Sequence, residues 1–258
     1  MSGIVGPVQL DQMLANRRWV RRLRPFPHVC ARDVFRSDVY RELHEEFRRI
    51  EREQPEVFHR NMEGYDATGT SISRFRDGPL GLFVSREWHD LIAGVAGVRA
   101  TGDVNAALHH HEPDSQSGWP HNDLNPGWFA GSAPGPDEIR LEHTGGVAVQ
   151  DGAHAPGALA RESIRAVSLL FYLANPDWQP GDGGETGLFA DIATAHRGAT
   201  TAVPPINNSL VFFECTPRTW HAFISNRGKP RNSVVMWLHR RKNEVLERWG
   251  DESIEYWN

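Results

Sequence analysis

Cysteine occurs only twice, as Cys30 and Cys215, far apart and in no metal-ligand spacing, so no disulfide framework is expected and a reducing cytoplasm fits. Lysine is as scarce, at positions 229 and 242 alone; an almost purely arginine complement fits the codon usage of a GC-rich bacterial genome better than a functional demand. No long uncharged apolar stretch occurs, and Met1–Gly6 lacks a basic segment followed by an apolar run. Neither a transmembrane helix nor a signal peptide is therefore expected. Excess positive charge is missing too, since a net charge of -5 gives no general attraction to nucleic acid or anionic membranes. Internal repeats and low-complexity tracts are absent.

What remains is a chain of 258 residues, long enough for one large domain with a substantial core. Its first hundred residues read as mainly helical. Gln9–Asn16 suits a short helix, Asp33–Glu53 an amphipathic one with Val39, Leu43, Phe47 and Ile50 at helical spacing, and Arg86–Val95 a third. Arg17, Arg18, Arg21, Arg22 and Arg24 form a basic cluster, best read as a solvated helix face paired with the acidic residues of the next helix. The stretch 63–70 has no period and suits either a substrate loop or a connector. Val104–His111 reads as a strand with Asn105, Ala107, His109 and His111 on one face. Neighbouring histidines there face opposite ways and cannot chelate together.

The chemistry gathers at His121-Asn122-Asp123. A His and an Asp two apart on an extended segment point the same way, so an imidazole nitrogen and a carboxylate oxygen can reach one small cation. His221, just after the apolar strand Ser209–Phe213, supplies a third ligand. Two imidazoles and a carboxylate on one face of a metal leave the opposite positions open, as in non-haem Fe(II) oxygenases. Next comes Arg231–Leu238, a strand whose alternation puts Arg231, Ser233, Val235 and Trp237 on one face. An arginine fork with a hydroxyl two residues on suits a carboxylate, which it can bind through two parallel hydrogen bonds.

This order resembles the Fe(II)- and 2-oxoglutarate-dependent dioxygenases, in particular their prolyl-hydroxylase-like branch. The pattern is H-x-D, a strand ending in Tyr172-Leu173, then Asn175, Trp178 and Gly183-Gly184-Glu185, a distal His, and Arg-x-Ser. The resemblance covers roughly residues 100 to 240, with Phe26-Pro27-His28 like the family's opening strand. It implies an α+β chain with a mainly β core, a double-stranded β-helix or jelly roll of the cupin-like kind. Residues 1–99 would be mainly helical support, 100–240 the barrel and 241–258 a C-terminal helix, with Asn243–Trp257 covering a sheet edge. It further implies Fe(II), 2-oxoglutarate and O2, with His121, Asp123 and His221 as metal ligands. Arg231, Ser233, Tyr172, Ser168, Trp237 and His111 would hold the cosubstrate; His111 takes that role as the polar residue ten positions before His121. Aspartate at the carboxylate position implies hydroxylation rather than halogenation.

The 100 positions between His121 and His221 exceed the spacing expected of compact members, and the excess falls in 124–160. Proline and glycine there argue against helix or central strand, so a lid or substrate-selecting loop is expected, with Asn125 and Trp128 at the mouth. Gly183-Gly184-Glu185 and Asn207-Asn208-Ser209 are turns. The substrate expected is a small molecule, an amino acid or a natural-product intermediate. A peptidyl (prolyl-type) hydroxylase and a non-catalytic cupin-like metal-binding module are the alternatives, and a nucleic-acid demethylase is a weaker one. No nucleic-acid or membrane partner is expected, and a homodimer is compatible with the sequence.

Overall fold

In the computed structural model, which describes residues 8–60 and 62–256, the chain runs α1 (Leu10–Met13), β1 (Val20–Arg22), β2 (His28–Ala31), α2 (Ser37–Glu53), β3 (His59–Arg60), β4 (Thr68–Ser71), α3 (Arg86–Ala96) and β5 (Asp103–His111). It continues through β6 (Pro126–Ala130), β7 (Arg140–Leu141), β8 (Ala160–Tyr172), β9 (Thr186–Phe189), β10 (Thr201–Val203), β11 (Ser209–Glu214), β12 (Trp220–Phe223), β13 (Arg231–Arg241) and α4 (Lys242–Trp249). Met1–Gly6 and Trp257, on which the expectations about a signal peptide and the end of the last helix partly fall, lie outside the described residues.

The strands form a jelly roll of two sheets. The larger runs β1-β2-β11-β8-β13-β5-β4-β3, with β6 beside β8 and β7 beside β5; the smaller runs β10-β9-β12. Every pairing is antiparallel except β5 with β7. Alternation along the strands divides the apolar residues between two cores. Outside the larger sheet, Val104, Ala106, Leu108, Leu169, Phe171 and Met236 pack with Leu43, Phe47 and Ile50 of α2 and with Trp88 and Ile92 of α3. Each such large side chain, fully buried, contributes roughly 1.5–3 kcal/mol. Inside, Phe26, Leu170, Tyr172, Val211, Phe213 and Val235 meet Leu188 of the smaller sheet. The helices thus fix the back of the large sheet, and its inner face is presented to the site.

Local chemistry accounts for the helix ends. Ser85 caps α3 by accepting the Trp88 N–H at 3.2 Å, and Gly97 at φ 73° closes it in the left-handed region that glycine adopts without strain. Asp33 takes a positive φ of 49° and Phe35 is drawn into the core, so α2 starts at Ser37, four residues later than the periodicity suggests. At the other end of the chain, α4 stops at Trp249, and Gly250 at φ 85° turns it into a single 3-10 turn. The expected terminal helix is therefore half its anticipated length. Val245 of α4 closes a third small core with Leu124, Ile164 and Cys215.

The first hundred residues are mainly helical, as expected, but they also carry four strands, each of two to four residues, too short for a period to register; β2 and β4 find their partners β11 and β5 far along the chain, while β1 and β3 extend the edges on β2 and β4. The arginine cluster, by contrast, is no helix face. Arg21 and Arg22 lie on β1, an exposed strand, and among the described residues none of the five arginines forms an ion pair with an acidic side chain. The stretch 124–160 is also less irregular than expected, because β6 pairs with the first half of β8 and β7 joins β5. Gly127 and Pro126 are tolerated because β6 is paired on β8's edge and not inside the sheet.

β8 and β13 slip by one residue. Leu238 lies opposite Val167 while His239 lies opposite Arg165, so Ala166 is left without a partner of its own. This is a β-bulge, and it reverses which residues of β8 face inward from that point on.

Candidate iron and dicarboxylate site

His121 lies outside the regular strands and is held by a two-way backbone bridge to His221 on β12, N–H to O at 3.0 and 2.8 Å. Each ring then donates from Nδ1 to the carbonyl two residues earlier: His121 to Trp119 at 2.9 Å and His221 to Thr219 at 3.2 Å. With Nδ1 so engaged, Nε2 is the atom each ring offers to a cation, and the carbonyl fixes both tautomer and ring angle. His221 Nε2 stands 3.3 Å from Asp123 Oδ2. One ligand atom from each of His121, Asp123 and His221 lies within 4.8 Å of the others, the only such group among the described residues. That separation, with two imidazoles and one carboxylate, fits a first-row divalent ion. Burial, then the neighbouring His221, lowers the His121 imidazole to about 4, so it is neutral and ready to ligate at neutral pH.

Asp123 is buried at 2% exposure and both its oxygens are held. Arg165 Nη1 donates to Oδ1 at 2.8 Å and Trp237 Nε1 to Oδ2 at 2.8 Å, while the Arg165 guanidinium lies 3.9 Å from the centre of the Trp237 ring. Burial pushes the carboxyl up, but the Arg165 charge, then His221 and His121, outweigh it and hold it well below the usual carboxylate range. Asp123 is an anion without iron. Trp237, expected beside the cosubstrate, gives its indole N–H to this carboxylate.

Beyond the triad, Arg231 enters from β13, buried at 3% exposure. Its Nη1 donates to Ser233 Oγ at 3.0 Å and its Nη2 to Thr186 Oγ1 at 3.2 Å, and Thr186 also meets the Tyr172 hydroxyl at 2.6 Å. Among the described residues no carboxylate lies within ion-pair distance of Arg231 and its Nε has no partner. A buried guanidinium that lies against the Tyr172 and Phe223 rings and hydrogen-bonds only hydroxyls is costly until an anion joins it, so the residues present fit a carboxylate. The Gly183-Gly184 turn, at φ 75° and 80°, brings the backbone against this group: a Cβ at Gly184 would meet Arg231 Cγ at 3.5 Å. Ser168 lies on the same inner face, its Oγ buried and without a partner among the described residues.

The expected His111 and its neighbour on the same face of β5, His109, face inward, opposite Arg231 and Ser233. His111 stacks on Phe223 at 3.7 Å and 20°, and burial, then Arg231, keeps it neutral. His109 is the one within electrostatic reach of Arg231, Arg165 and Asp123 together, lowered to about 4 by burial first. At the mouth, Tyr65 from the unperiodic 62–67 loop packs at 5.6 Å from His111 and 5.8 Å from Trp119. It fits closely over Gly118, where a Cβ would meet Tyr65 Cε2 at 2.6 Å. Asn125 is buried, its backbone carbonyl accepting the Arg165 N–H at 3.0 Å. Trp128 is not brought to the triad. Its indole covers Gly152, on the opposite side of β6 from Phe129, which meets His239.

Four residues of the site escaped the sequence reading: Arg165, Thr186, His109 and Tyr65. His109 shares the alternation that picked out His111, and Thr186 directly follows the Gly-Gly-Glu turn. Arg165 carried no signal, because only the bulge turns it inward.

Residues 143–239 match the family model described as the 2OG-Fe(II) oxygenase superfamily; the match takes in His221, Tyr172, Arg231 and Ser233, with His121 and Asp123 preceding it. Comparison with the curated proteins finds no match. Among solved structures, a Pseudomonas putida prolyl-4-hydroxylase is similar at a TM-score of 0.54 and 18% identity, covering 83% of this chain and 92% of that one. A Trichoplax adhaerens prolyl hydroxylase, in complex with a hypoxia inducible factor oxygen degradation domain peptide fragment, gives 0.57 and 16%, with 85% and 86% covered. The non-haem α-ketoglutarate-dependent carbocyclase SnoK from nogalamycin biosynthesis gives 0.56 and 15%, with 95% of each chain covered. At such identities these likenesses establish the fold, while the family model and the triad carry the chemistry, which requires Fe(II), 2-oxoglutarate and O2. With residues 143–239 matching the 2OG-Fe(II) oxygenase superfamily and a facial triad of His121, Asp123 and His221 set in a jelly roll, this chain carries the fold and the ligand set of such an oxygenase.

Proposed function

We propose that the enzyme hydroxylates an unactivated C–H bond of a small molecule, an amino acid or a natural-product intermediate. The observation that carries this reading is the depth of the site. Asp123, His221 and Arg231 are exposed by only 2%, 6% and 3%, beneath a mouth bordered by Tyr65 and Trp119. A compact substrate can enter such a site whole, whereas a peptide needs an open groove along its backbone. Coverage of 95% of both chains with a natural-product carbocyclase supports the same class. The likeness to prolyl hydroxylases supports the alternative of a peptidyl substrate.

In this reading Arg231, Ser233 and Tyr172 hold the far carboxylate of 2-oxoglutarate, with Thr186 coupling Arg231 to Tyr172. His121, Asp123 and His221 hold Fe(II). Fe(II) and 2-oxoglutarate held by these residues would, with O2, supply the oxidising power to convert a C–H bond to C–OH with release of succinate and CO2. The protein orients and excludes water. Neutral His109 and the Ser168 hydroxyl border the space between the triad and Arg231 and provide polar contacts without adding charge. His111, braced on Phe223, keeps the wall rigid, and Tyr65 and Trp119 at the mouth orient the substrate, with Asn125 a further contact. Within 124–160, residues 131–159 select the substrate, and Trp128 anchors that loop.

The test is substrate-dependent succinate release with iron-loaded enzyme. Free amino acids and natural-product intermediates are screened against proline-containing peptides, and products are read as a gain of one oxygen by mass spectrometry. Turnover of a small molecule supports the proposal; turnover of peptides alone replaces it with the peptidyl reading.

A further inference from the structure

Arg165 is placed by an irregularity, not by the strand pattern. On a regular β8 it would share the outer face with Val167. The slip at Ala166 turns it inward, and the bulge is secured at its carbonyl, which accepts the Cys215 N–H at 2.8 Å and Arg240 Nη2 at 2.9 Å. Bulges beside active sites commonly re-aim one side chain. Here the re-aimed guanidinium reaches Asp123 Oδ1 and lies flat against Trp237, whose own N–H takes Oδ2. Arginine and tryptophan thus grip one carboxylate from two strands, each bracing the other.

We infer that Arg165 and Trp237 are positioning residues for the iron-binding carboxylate. With its rotation fixed, Asp123 turns Oδ2 toward the ion beside His221 Nε2, and Oδ1, engaged by Arg165, is withheld from it. Asp123 then offers the metal one oxygen instead of two. A monodentate carboxylate leaves room at the ion for the cosubstrate and for O2; a freely rotating one could chelate through both oxygens. This rests on the Fe(II) reading of the triad. It assigns Arg165 to the metal ligand, in contrast to a role in gripping substrate.

The experiment is an anaerobic equilibrium titration of Fe(II) into metal-free wild type, Arg165→Met, Arg165→Lys and Trp237→Phe. Thermal unfolding of each metal-free protein is recorded, with substrate KM and kcat on the loaded enzymes. Loss of an outer partner of a metal ligand lowers metal affinity by about tenfold to a hundredfold. The expected result is a loss in that range for Arg165→Met, a smaller loss for Trp237→Phe, and substantial recovery in Arg165→Lys, with unfolding temperatures of the metal-free proteins close to wild type. Fe(II) affinity unchanged in both Arg165→Met and Trp237→Phe overturns the inference, as does a raised substrate KM at unchanged affinity. If Arg165→Met does not fold, Trp237→Phe and Arg165→Lys decide on the same criterion. Failure of the wild type itself to bind Fe(II) would instead sink the reading of the triad.

Discussion

Thr186 on the smaller sheet accepts Arg231 Nη2 from the larger sheet at 3.2 Å, so the anion-binding group spans both layers of the jelly roll. Charge-assisted hydrogen bonds contribute about 1.5–3 kcal/mol each. Arg231→Met should therefore raise the KM for 2-oxoglutarate at least about tenfold, and Thr186→Val should raise it less, in assays of succinate release. An unchanged KM in Arg231→Met would remove Arg231 from the cosubstrate site.

Fe(II) with bound 2-oxoglutarate gives a visible metal-to-ligand charge-transfer band. Anaerobic titration of the parent should produce it, and Asp123→Ala should abolish or greatly weaken it by removing the only carboxylate of the triad. If metal binds but no band forms, the chain binds metal without binding the cosubstrate, as a cupin-like module does.

Glu142 is buried, accepts a hydrogen bond from Ser71 Oγ, and is raised to about 7 because burial outweighs that bond. Its folded form keeps a proton that the unfolded chain has already released, so stability falls as pH climbs from the ordinary glutamate range through about 7, and levels off above. The loss is on the order of 3 kcal/mol. Glu142→Gln should flatten that slope in urea titrations between about pH 4 and 8, which spans the fall from the ordinary glutamate range through about 7. A slope identical to wild type would count against it.

Gly118→Ala should leave the fold and 2-oxoglutarate affinity intact while raising substrate KM. The added Cβ falls 2.6 Å from Tyr65 Cε2, and a ring at the mouth can move where backbone could not. Unchanged kinetics would place the substrate away from Tyr65.

Much of the site could be read from the chain because its residues obey regular periods. His121 and Asp123 are two apart on extended backbone, and Arg231, Ser233, Val235 and Trp237 share one face of β13 as alternation requires. Turns at Gly183-Gly184 and Asn208 were legible for the same local reason, the need for positive φ. Arg165 was hidden because a one-residue slip inverted its face, and Tyr65 because its loop has no period. Trp237 shows a different limit: its direction was predictable, but its partner, Asp123, lies more than a hundred residues away. The short strands β2 and β4 are secured by distant partners, β11 and β5, which no local window contains.

The triad adds a further junction between the two sheets, beside the Arg231–Thr186 bond and the inner core. His221 belongs to the smaller sheet, and Asp123 is gripped by Arg165 and Trp237 of the larger. An ion bound there is a cross-link between the layers, and its binding free energy adds to the folding free energy in proportion to the logarithm of its concentration. In an iron-starved cell the two layers would part more readily, exposing chain to proteases, so the lifetime of this enzyme would follow the supply of its own metal.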